Sequence, residues 1–379
     1  MTQLPIYSEE HDLFRSTLRD FVATELTPYV NEWDEAGEFP IEVYKKAGEI
    51  GLFGIGFAEE YGGLGTHDPL LFCILAEELA RSSGGVSAGL FSNYIGGPPI
   101  QNAGSDDVKA EILPSMLSGD VICALGITEP SGGSDVANLQ TTARLDGDHY
   151  VVNGSKTFIT SGMRADYVTT AVRTGGAGAA GVSMLVIPSN LDGFSKTPLK
   201  KMGWWASDTA TLYFDDCRVP ARYLLGAENS GFKIIMENFN YERLFLIAGM
   251  IGASRVCFEE ALAWAQERET FGSRLADHQV IRHKLVEMDR MINASYAWME
   301  KLAWQVSQND HVVAQLAECK VQSSLTMEFC AREAAQILGG ASYLRDNPVE
   351  RIYREVRVNA IGGGSEEIMR DLAARQLGI

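Results

Sequence analysis

The sequence lacks the apolar run that a membrane-spanning protein needs. Glycine, proline or a charged residue interrupts every hydrophobic stretch before it reaches the ~20 residues that span a bilayer. We therefore predict no membrane insertion. The N-terminus, M-T-Q-L-P-I-Y-S-E-E, has neither the basic and apolar regions of a signal peptide nor the arginine-rich character of a transit peptide, so we expect a cytoplasmic protein.

Positive charge is also scarce. The chain has 32 Lys and Arg residues against 50 Asp and Glu residues, which gives a formal net charge of -18. A protein that binds nucleic acid neutralises phosphates with a basic surface, and this surface should be broadly acidic. We therefore predict no nucleic-acid partner, although a local basic pocket for a phosphorylated ligand remains open.

Cysteine and histidine do not occur in metal-binding patterns. The six cysteines are scattered without a CxxC pair, so we expect them to be reduced and mostly structural. His278 and His283 lie five residues apart, which places them on different faces of a helix, and no acidic or cysteine ligands cluster with them. We predict no metal site.

What is present is a division of the 379 residues into three regions, a length too great for one compact core. Apolar residues recur at helical spacing up to about Gly119, and the helical spacing returns after Gly231. Between them, β-branched and aromatic runs alternate with turn dipeptides. We predict a helical domain at 1–119, a mostly antiparallel β domain at 120–226 and a helical bundle at 227–379.

Short local signals locate several elements within these regions. Apolar residues from Leu13 to Leu26 at three-and-four spacing predict one buried helix stripe. Asp68-Pro69 predicts the start of another helix, because Asp caps a helix and Pro is favoured in its first turn. Asp146-Gly147 and Asn153-Gly154 each predict the turn of a β-hairpin.

The strongest chemical signal is the segment Ile127–Asp135, I-T-E-P-S-G-G-S-D. It predicts a strand end and a proline turn, followed by two glycines that expose backbone N–H groups beside two hydroxyls. Such an arrangement suits a ring edge and a pyrophosphate. Composition alone favours the simpler interpretation, an ordinary glycine-rich turn.

This segment resembles the first signature of the acyl-CoA dehydrogenases, and the rest of the chain follows that family in order over essentially its whole length. Lys156–Thr160 resembles the family's second flavin contact, with Phe158 at a position that is usually Trp. Glu267–Gly272, followed by His278-Gln279, resembles the segment that crosses a subunit interface to the neighbour's FAD. Gln336–Gly340 resembles the second signature, whose backbone approaches the adenosine side of the cofactor.

The resemblance implies the fold, the cofactor and the partners. The fold class is α+β and multidomain, with an N-terminal helical domain, a middle antiparallel β-barrel or sandwich, and a C-terminal four-helix bundle. The implied cofactor is FAD, the substrate is an acyl-CoA, the assembly is a homotetramer and the acceptor is an electron-transferring flavoprotein. Arg268 would then pair with the FAD pyrophosphate rather than form a surface ion pair. The implied FAD-binding residues are Leu125, Ile127, Thr128, Gly133, Ser134, Phe158, Ile159, Thr160, Arg268, Phe271, Gln279, Gln336, Leu338, Gly339, Gly340, Ser365 and Glu367.

The reaction implied by the family needs a base that takes the α-proton of the thioester while hydride leaves the β-carbon. Many members carry this Glu near the C-terminus, where the present chain has Gly363. A minority branch, which resembles long-chain and isovaleryl-CoA dehydrogenases, carries it in a segment that here reads Asn240–Arg243 and that we expect to open the long helix. Glu242 is therefore the candidate catalytic residue, and Glu366 and Glu367 are weaker candidates.

The same resemblance implies a set of substrate-binding residues. Backbone N–H of Gly363 or its neighbour would stabilise charge on the thioester oxygen. Trp204 and Trp205 either line the substrate tunnel or fill an interdomain core, and the sequence favours neither. The implied substrate-binding residues are Ser134, Asn240, Tyr241, Arg243, Gly363 and Gly364.

The predicted function is FAD-dependent α,β-dehydrogenation of an acyl-CoA to the trans-2-enoyl-CoA. Two alternatives remain from the sequence. One is an oxygen-reacting relative on the same fold, such as an acyl-CoA oxidase or a flavin monooxygenase. The other is a non-catalytic flavin-binding subunit that lost its base at position 363, and Glu242 is the feature that argues against it.

Overall fold

The computed structural model describes residues 6–379, apart from the side chains of Asn240 and Tyr241. The first third of the chain is helical, with a π-helical turn at Val22–Leu26 directly after the first helix. Its α-helices are α1 (Glu9–Phe21), α2 (Val30–Ala36), α3 (Glu42–Glu49), α4 (Pro69–Ala80), α5 (Gly84–Gly96), α6 (Pro98–Ala103) and α7 (Asp106–Leu117).

Helix α4 forms the centre of this region. Asp68 accepts a hydrogen bond from Leu70 N at 2.8 Å and Pro69 occupies the first turn, as the sequence predicts. Every residue of α4 is buried, so this helix packs on all sides. The apolar stripe predicted from Leu13 is shorter than expected, because Leu13 is 69% exposed and the buried apolar residues of α1 are Leu18 and Phe21.

The middle of the chain forms one mostly antiparallel sheet of eight strands. The strand order is β6-β7-β3-β2-β4-β5-β8, and β1 pairs in parallel with β4. The strands are β1 (Cys123–Gly126), β2 (Thr142–Asp146), β3 (His149–Thr160), β4 (Tyr167–Arg173), β5 (Val182–Pro188), β6 (Phe194–Pro198), β7 (Thr209–Pro220) and β8 (Leu224–Leu225).

Of the two predicted hairpin turns, only Asp146-Gly147 is one. It joins β2 to β3, with Asp146 opposite His149 and Gly147 at a φ of 65°. Asn153-Gly154 lies inside β3, and the prediction of a turn there was wrong. The Asn153 side chain bonds to Asp216 on β7 instead, and the irregular backbone forms a bulge in the pairing of the two strands.

The last region is helical, as predicted, with a short two-stranded hairpin between its first two helices. The elements are α8 (Gly231–Glu267), β9 (Glu269–Thr270), β10 (Ser273–Arg274), α9 (Gln279–Ser307), α10 (Val313–Leu338), α11 (Pro348–Asn359) and α12 (Glu366–Leu377). Helix α8 packs against α9 and α10, and α11 and α12 both pack against α10. No helix in the described part of the chain combines the length and hydrophobicity that crossing a membrane requires.

Helix α8 also packs against α4 of the first region. Gly252 permits this contact, since a Cβ there would lie only 2.4 Å from Glu77 O of α4. The prediction that the segment Asn240–Arg243 opens the long helix was wrong, because α8 begins at Gly231. Glu242 is the twelfth residue of the helix, and although the whole residue is only half-buried, Oε2 of its carboxyl group is removed from water.

Candidate active site

Two of the segments expected to bind flavin lie side by side. Thr157 N of β3 donates to Thr128 O at 2.8 Å, and Lys156 Nζ donates to Ile127 O at 3.2 Å. Lys156 also forms a buried ion pair with Glu129 at 2.8 Å. The structure therefore brings the turn after β1 against the end of β3, although the two are distant in sequence.

Glu129 fixes the shape of this turn. Its carboxylate accepts hydrogen bonds from the backbone N–H groups of Gln140 at 2.5 Å and Thr141 at 2.8 Å, besides Lys156. Burial opposes ionisation, but the charge of Lys156 and these donors outweigh it and hold the pKa of Glu129 well below its ordinary value. A carboxylate with so many partners anchors the turn; it is not a candidate base.

Phe158 is the most unusual residue of this region. Its φ is 60°, which an aromatic residue adopts only under strain, and its side chain is 70% exposed. The strain falls at the irregularity in β3 pairing between Lys156 and Ile159. An aromatic ring held outward by a strained backbone is typical of a residue that contacts a ligand.

The neighbouring predicted flavin residues divide by exposure. The side chains of Ile127 and Ile159 are buried, so these residues offer only their backbones to a ligand. Leu125, Thr128 and Thr160 are half-buried, and Gly133 and Ser134 are exposed in the turn. Thr128 and Thr160 belong to the two segments that meet at the hydrogen bond between Thr157 N and Thr128 O, next to Phe158 in sequence.

Glu242 carries a buried carboxyl oxygen whose hydrogen-bonding capacity is unsatisfied among the described residues. Its Oε2 atom is inaccessible to solvent and has no hydrogen-bond partner in the described part of the chain. Burial raises the pKa of Glu242 to about 7, and the charges of Arg243 and Lys320 act in the opposite direction. Strongly shifted carboxyls of this kind concentrate at functional sites.

Gly363 lies opposite Glu242. A Cβ placed on Gly363 would be 3.8 Å from Glu242 Oε1, so the two positions considered for the base converge in space. Gly363 has a φ of 66° and Gly364 a φ of 106°, backbone conformations that favour glycine. The same Cβ would lie 2.3 Å from Leu246 Cδ1, so Leu246 occupies the space that a side chain at position 363 would need.

Two buried cations hold the Gly363–Gly364 turn. Arg243 Nε donates to Gly363 O at 3.5 Å, and Lys320 Nζ of α10 donates to Gly364 O at 2.7 Å. Arg243 is 8% exposed and Lys320 is fully buried. The side chains of Asn240 and Tyr241, which were also predicted to bind substrate, lie outside the described part of the structure.

The rival carboxylates are placed differently. Glu366 Oε1 accepts from Ser324 Oγ at 2.7 Å, and its Oε2 pairs with Arg370 at 3.3 Å, so both oxygens already have partners. Glu367 is exposed in the first turn of α12, where hydrogen bonds from its own N–H and from Ser365 lower its pKa. Neither carboxyl shares the isolation of Glu242.

The segment expected to reach a neighbouring subunit lies at the opposite end of α8. Arg268, Phe271 and Gln279 are all exposed, and Phe271 is 99% exposed with a φ of 52°. Arg268 follows Glu242 by 26 residues, which corresponds to about 39 Å along an α-helix. The chain therefore does not bring these three residues to its own Glu242.

The segment Gln336–Gly340, which resembles the second family signature, forms the C-terminal end of α10. Gln336 is exposed, Leu338 is buried, and Gly339 at a φ of 60° ends the helix. Ser342 Oγ donates to Ala335 O at 2.9 Å and to Gly339 O at 2.8 Å, so it stabilises the end of the helix. The exposed backbone at Gly339 and Gly340 is left accessible.

Trp204 and Trp205 lie between regions of the fold. The guanidinium groups of Arg345 and Arg354 lie 4.1 and 3.8 Å from the Trp205 ring, and a Cβ on Gly84 would lie 2.4 Å from Trp204 Nε1. These contacts join the middle region to α5 and α11. They favour the interpretation of both rings as interdomain core.

Sequence analysis missed two residues of this site, Lys320 and Leu246. Lys320 carried a detectable signal, because it falls within the apolar stripe of α10 where a charged residue is rare unless it has a buried partner. Leu246 carried none, because a leucine one turn after Glu242 is ordinary in a buried helix.

Three family models match consecutive parts of the chain. Their descriptions are acyl-CoA dehydrogenase N-terminal domain for residues 8–120, middle domain for residues 124–217 and C-terminal domain for residues 229–378. The chain belongs to the acyl-CoA dehydrogenase family. It is an oxidoreductase of that family with FAD as cofactor, and the predicted three-part fold is confirmed.

Individual acyl-CoA dehydrogenases resemble the chain over nearly all of its length. The rat mitochondrial long-chain specific acyl-CoA dehydrogenase is 37% identical over 98% of this chain and 87% of its own. A probable acyl-CoA dehydrogenase from Mycobacterium abscessus is 44% identical with a TM-score of 0.96, covering 98% of this chain and 99% of its own. A Mycobacterium smegmatis glutaryl-CoA dehydrogenase in complex with FADH2 is 27% identical with a TM-score of 0.93, covering 98% and 95%.

The residues present fit the family's cofactor. The exposed ring of Phe158 offers an aromatic face, and Thr128 and Thr160 offer half-buried hydroxyls beside it. Gly132 has open space where a side chain would stand, so a ligand can approach the backbone of the turn. The acyl-CoA dehydrogenase framework therefore has both a surface for the flavin ring and backbone donors next to it.

Proposed function

We propose that this acyl-CoA dehydrogenase removes the α-proton of its thioester substrate with Glu242. The observation that carries the proposal is the buried carboxyl of Glu242, whose Oε2 has no partner among the described residues and whose Oε1 points toward the turn at Gly363. A buried acceptor without a donor is costly, and it is retained where a ligand completes the site.

The pKa of Glu242 suits this role. The α-hydrogen of a thioester is only weakly acidic, so a base of ordinary carboxylate strength is a poor acceptor. Burial raises the pKa of Glu242 to about 7, which strengthens the base while leaving a large ionised fraction near neutral pH. Bound FAD would supply the redox chemistry by accepting the β-hydrogen as hydride, while Glu242 would take and hold the α-proton.

Gly363 and Gly364 contribute donors to the thioester oxygen in this proposal. Among the described residues, no acceptor is hydrogen-bonded to the N–H of Gly363 or Gly364, whereas both carbonyls are held by cations. Peptide donors fixed in advance stabilise the enolate charge without reorganisation. Because glycine keeps this donor and removes the side chain, the exchange of Glu for Gly at position 363 is compatible with activity.

The flavin is held in the proposal by both chains of a subunit pair. Phe158, Thr128 and Thr160 surround the ring in one chain, and Ser134 approaches the substrate beside it. Arg268 and Phe271 are exposed about 39 Å along α8 from Glu242, so they serve the cofactor of a second copy. A homotetramer built from two such pairs, with an electron-transferring flavoprotein as acceptor, follows the family pattern.

Anaerobic reduction of the flavin tests the proposal directly. The purified FAD enzyme is mixed with short, long and branched acyl-CoA thioesters, and loss of oxidised flavin absorbance is followed. We expect at least one class to bleach the wild type, and Glu242→Gln to slow that bleaching by about 10³-fold or more with FAD still bound. Glu237→Gln, an exposed residue of the same helix, is the matched control and should bleach normally.

Either of two results would overturn the assignment. Normal bleaching by Glu242→Gln would place the base elsewhere and direct attention to Glu366 and Glu367. A wild-type enzyme that holds FAD but is reduced by no thioester would support a non-catalytic subunit. Stoichiometric peroxide release under air, without any added acceptor, would favour the oxygen-reacting alternative.

A further inference from the structure

Lys320, a lysine inside the C-terminal bundle, has no hydrogen bond to a carboxylate in the part of the chain that the structure describes. Lys320 on α10 is fully buried, and its ammonium group donates to a peptide carbonyl, Gly364 O, at 2.7 Å. Burying a lysine is expensive, and such residues are usually neutralised by an ion pair. The carbonyl bond compensates only part of that cost, so a structural role alone explains Lys320 poorly.

The surroundings of Lys320 connect it to the reaction centre. The charges that act on it come from two helices: Glu366, which has the largest effect, and Glu367 on α12, and Arg243 and Glu242 on α8. The reciprocal influence is present as well, because Arg243 and Lys320 are the charges of the described residues that act on Glu242. Lys320 therefore links α10 electrostatically to Glu242.

The hydrogen bonds point to the same place. Arg243 holds Gly363 O and Lys320 holds Gly364 O, so consecutive carbonyls of one turn are fixed from two different helices. With its carbonyls tied back, the turn keeps Gly363 opposite Glu242. Both glycines of this turn have positive φ values, and fixing such flexible residues in one conformation costs entropy. Without either cation, the turn would therefore become more mobile.

We propose that Lys320 is a positioning residue of the dehydrogenation site, which fixes the Gly363–Gly364 turn against α10 and places a positive charge beside Glu242. The inference rests on the proposed function of Glu242. Burial alone would make the Glu242 carboxyl difficult to ionise, and the nearby ammonium favours the carboxylate that removes the proton. Lys320 acts through Glu242 and the turn, not by touching the reacting carbons.

A titration of Glu242 tests this without any reaction. The protonated-carboxyl stretch of Glu242 is followed by infrared difference spectroscopy of the FAD enzyme against pH, and is assigned by its loss in Glu242→Gln. We expect an apparent pKa near 7 in the wild type. Lys320→Met, which removes the charge, should raise it by about one unit, and Lys320→Arg should keep it close to the wild-type value.

Lys201→Met is the matched control. Lys201 also has a pKa lowered by burial to about 8 and also donates to backbone carbonyls, those of Trp204 and Ser207. It is not among the charges that act on Glu242. This variant should therefore lose stability as Lys320→Met does while leaving the titration of Glu242 unchanged.

The outcomes separate the two proposals. An unchanged Glu242 titration in Lys320→Met, or an equal shift in Lys201→Met, would overturn the role of Lys320. Failure of any thioester to bleach the wild type would instead overturn the proposed function, and the infrared result would stand independently.

A second measurement applies if Lys320→Met does not hold FAD. Burial lowers the pKa of Lys320 to about 8, and above that pH the neutral amine donates a weaker hydrogen bond to Gly364 O than the ammonium does, so the turn is held less firmly and the wild-type bleaching rate should decline. Lys320→Arg stays charged and should lose this decline. A decline that persists in Lys320→Arg would contradict the proposal.

Discussion

Glu242 on α8 and Gly363 in the turn before α12 face each other so closely that a Cβ on Gly363 would lie 3.8 Å from Glu242 Oε1. The two residues are 121 positions apart in sequence. A carboxyl group at either position would reach the same space, which agrees with the two alternative positions that the family resemblance implies for the base. In this chain Leu246 Cδ1 and the φ of 66° both oppose a side chain at position 363.

This relationship predicts that moving the base requires more than an exchange of residues. In the double variant Glu242→Gly/Gly363→Glu, the Cβ of the new glutamate would lie 2.3 Å from Leu246 Cδ1. The backbone at position 363 has a φ of 66°, and a residue other than glycine adopts this conformation at a cost of about 1–2 kcal/mol. We expect this double variant to bleach almost as slowly as Glu242→Gly. Adding Leu246→Ala should recover about tenfold in bleaching rate.

The control for this exchange is Glu242→Gly/Leu246→Ala, which has the space but no new carboxyl. Its bleaching rate should remain at the level of Glu242→Gly. If the double variant without Leu246→Ala already recovers full activity, the steric account of position 363 is wrong.

The raised pKa of Glu242 also predicts a pH-dependent stability. A carboxyl whose pKa is about 7 when folded and about 4.5 when unfolded binds more protons in the folded state between these values. Its contribution to stability is therefore complete below the unfolded pKa and is lost as pH rises through 7, by about 3 kcal/mol in total. Glu242→Gln removes the ionisable group, so it should raise the Tm at pH 8 relative to wild type.

The comparison across pH is the decisive measurement. Thermal unfolding of the FAD-loaded proteins should show a Tm advantage of Glu242→Gln over wild type at pH 8 that shrinks toward pH 5. Glu237→Gln on the same helix is exposed and should show the same small difference at both pH values. A Glu242→Gln difference that does not change with pH would mean that Glu242 ionises normally.

The strained backbone at Phe158 leads to a prediction that separates binding from stability. Glycine tolerates a φ of 60° without strain, so Phe158→Gly should stabilise the FAD-free protein by up to about 1 kcal/mol. The same change removes the exposed aromatic face, and FAD affinity should fall by about tenfold or more. Phe158→Trp should keep the affinity, and FAD fluorescence titration with chemical unfolding measures both effects.

The contrast between the two effects is the test. The matched control is Leu145 on β2 of the same sheet, whose side chain is 52% exposed. Leu145→Gly should leave FAD affinity unchanged. Unaltered affinity in Phe158→Gly would mean that the ring does not contact the flavin.

The sequence could indicate the three regions because each has its own period of apolar residues, and it could indicate Glu242 because a family resemblance supplied two alternative positions. It could not show that Asn153-Gly154 forms a bulge. That outcome depends on Asp216, whose N–H and carboxylate both bond to the Asn153 side chain from a neighbouring strand. Local turn propensity was overridden by a tertiary partner.

The environment of Glu242 on α8 is a second feature that depends on residues far away in sequence. From the sequence, Glu242 could only be placed near a helix start, where a glutamate is normally solvated. Its actual environment depends on α10 and the turn at Gly363, which come later in the chain. The apolar stripe of α10 could indicate that Lys320 is buried, but its partner could not be predicted, because that partner is a distant peptide carbonyl, Gly364 O.

The exposed segment at the end of α8 yields a prediction about subunit exchange. If Arg268 serves the cofactor of a second copy, then Arg268→Ala and Glu242→Gln damage the same site from different chains. Each homomer should be nearly inactive in bleaching. A hybrid pair still contains one intact site, formed by Glu242 from the Arg268→Ala chain and Arg268 from the Glu242→Gln chain.

Co-expression of the two differently tagged variants, followed by sequential purification through both tags, isolates the hybrid. We expect it to recover about half of the wild-type bleaching amplitude, since one of the two sites in each pair is complete. Hybrids of Arg268→Ala with the double variant Arg268→Ala/Glu242→Gln have no complete site and are the control. If the first hybrid is as inactive as this control, Arg268 acts within its own chain, and the shared site is excluded.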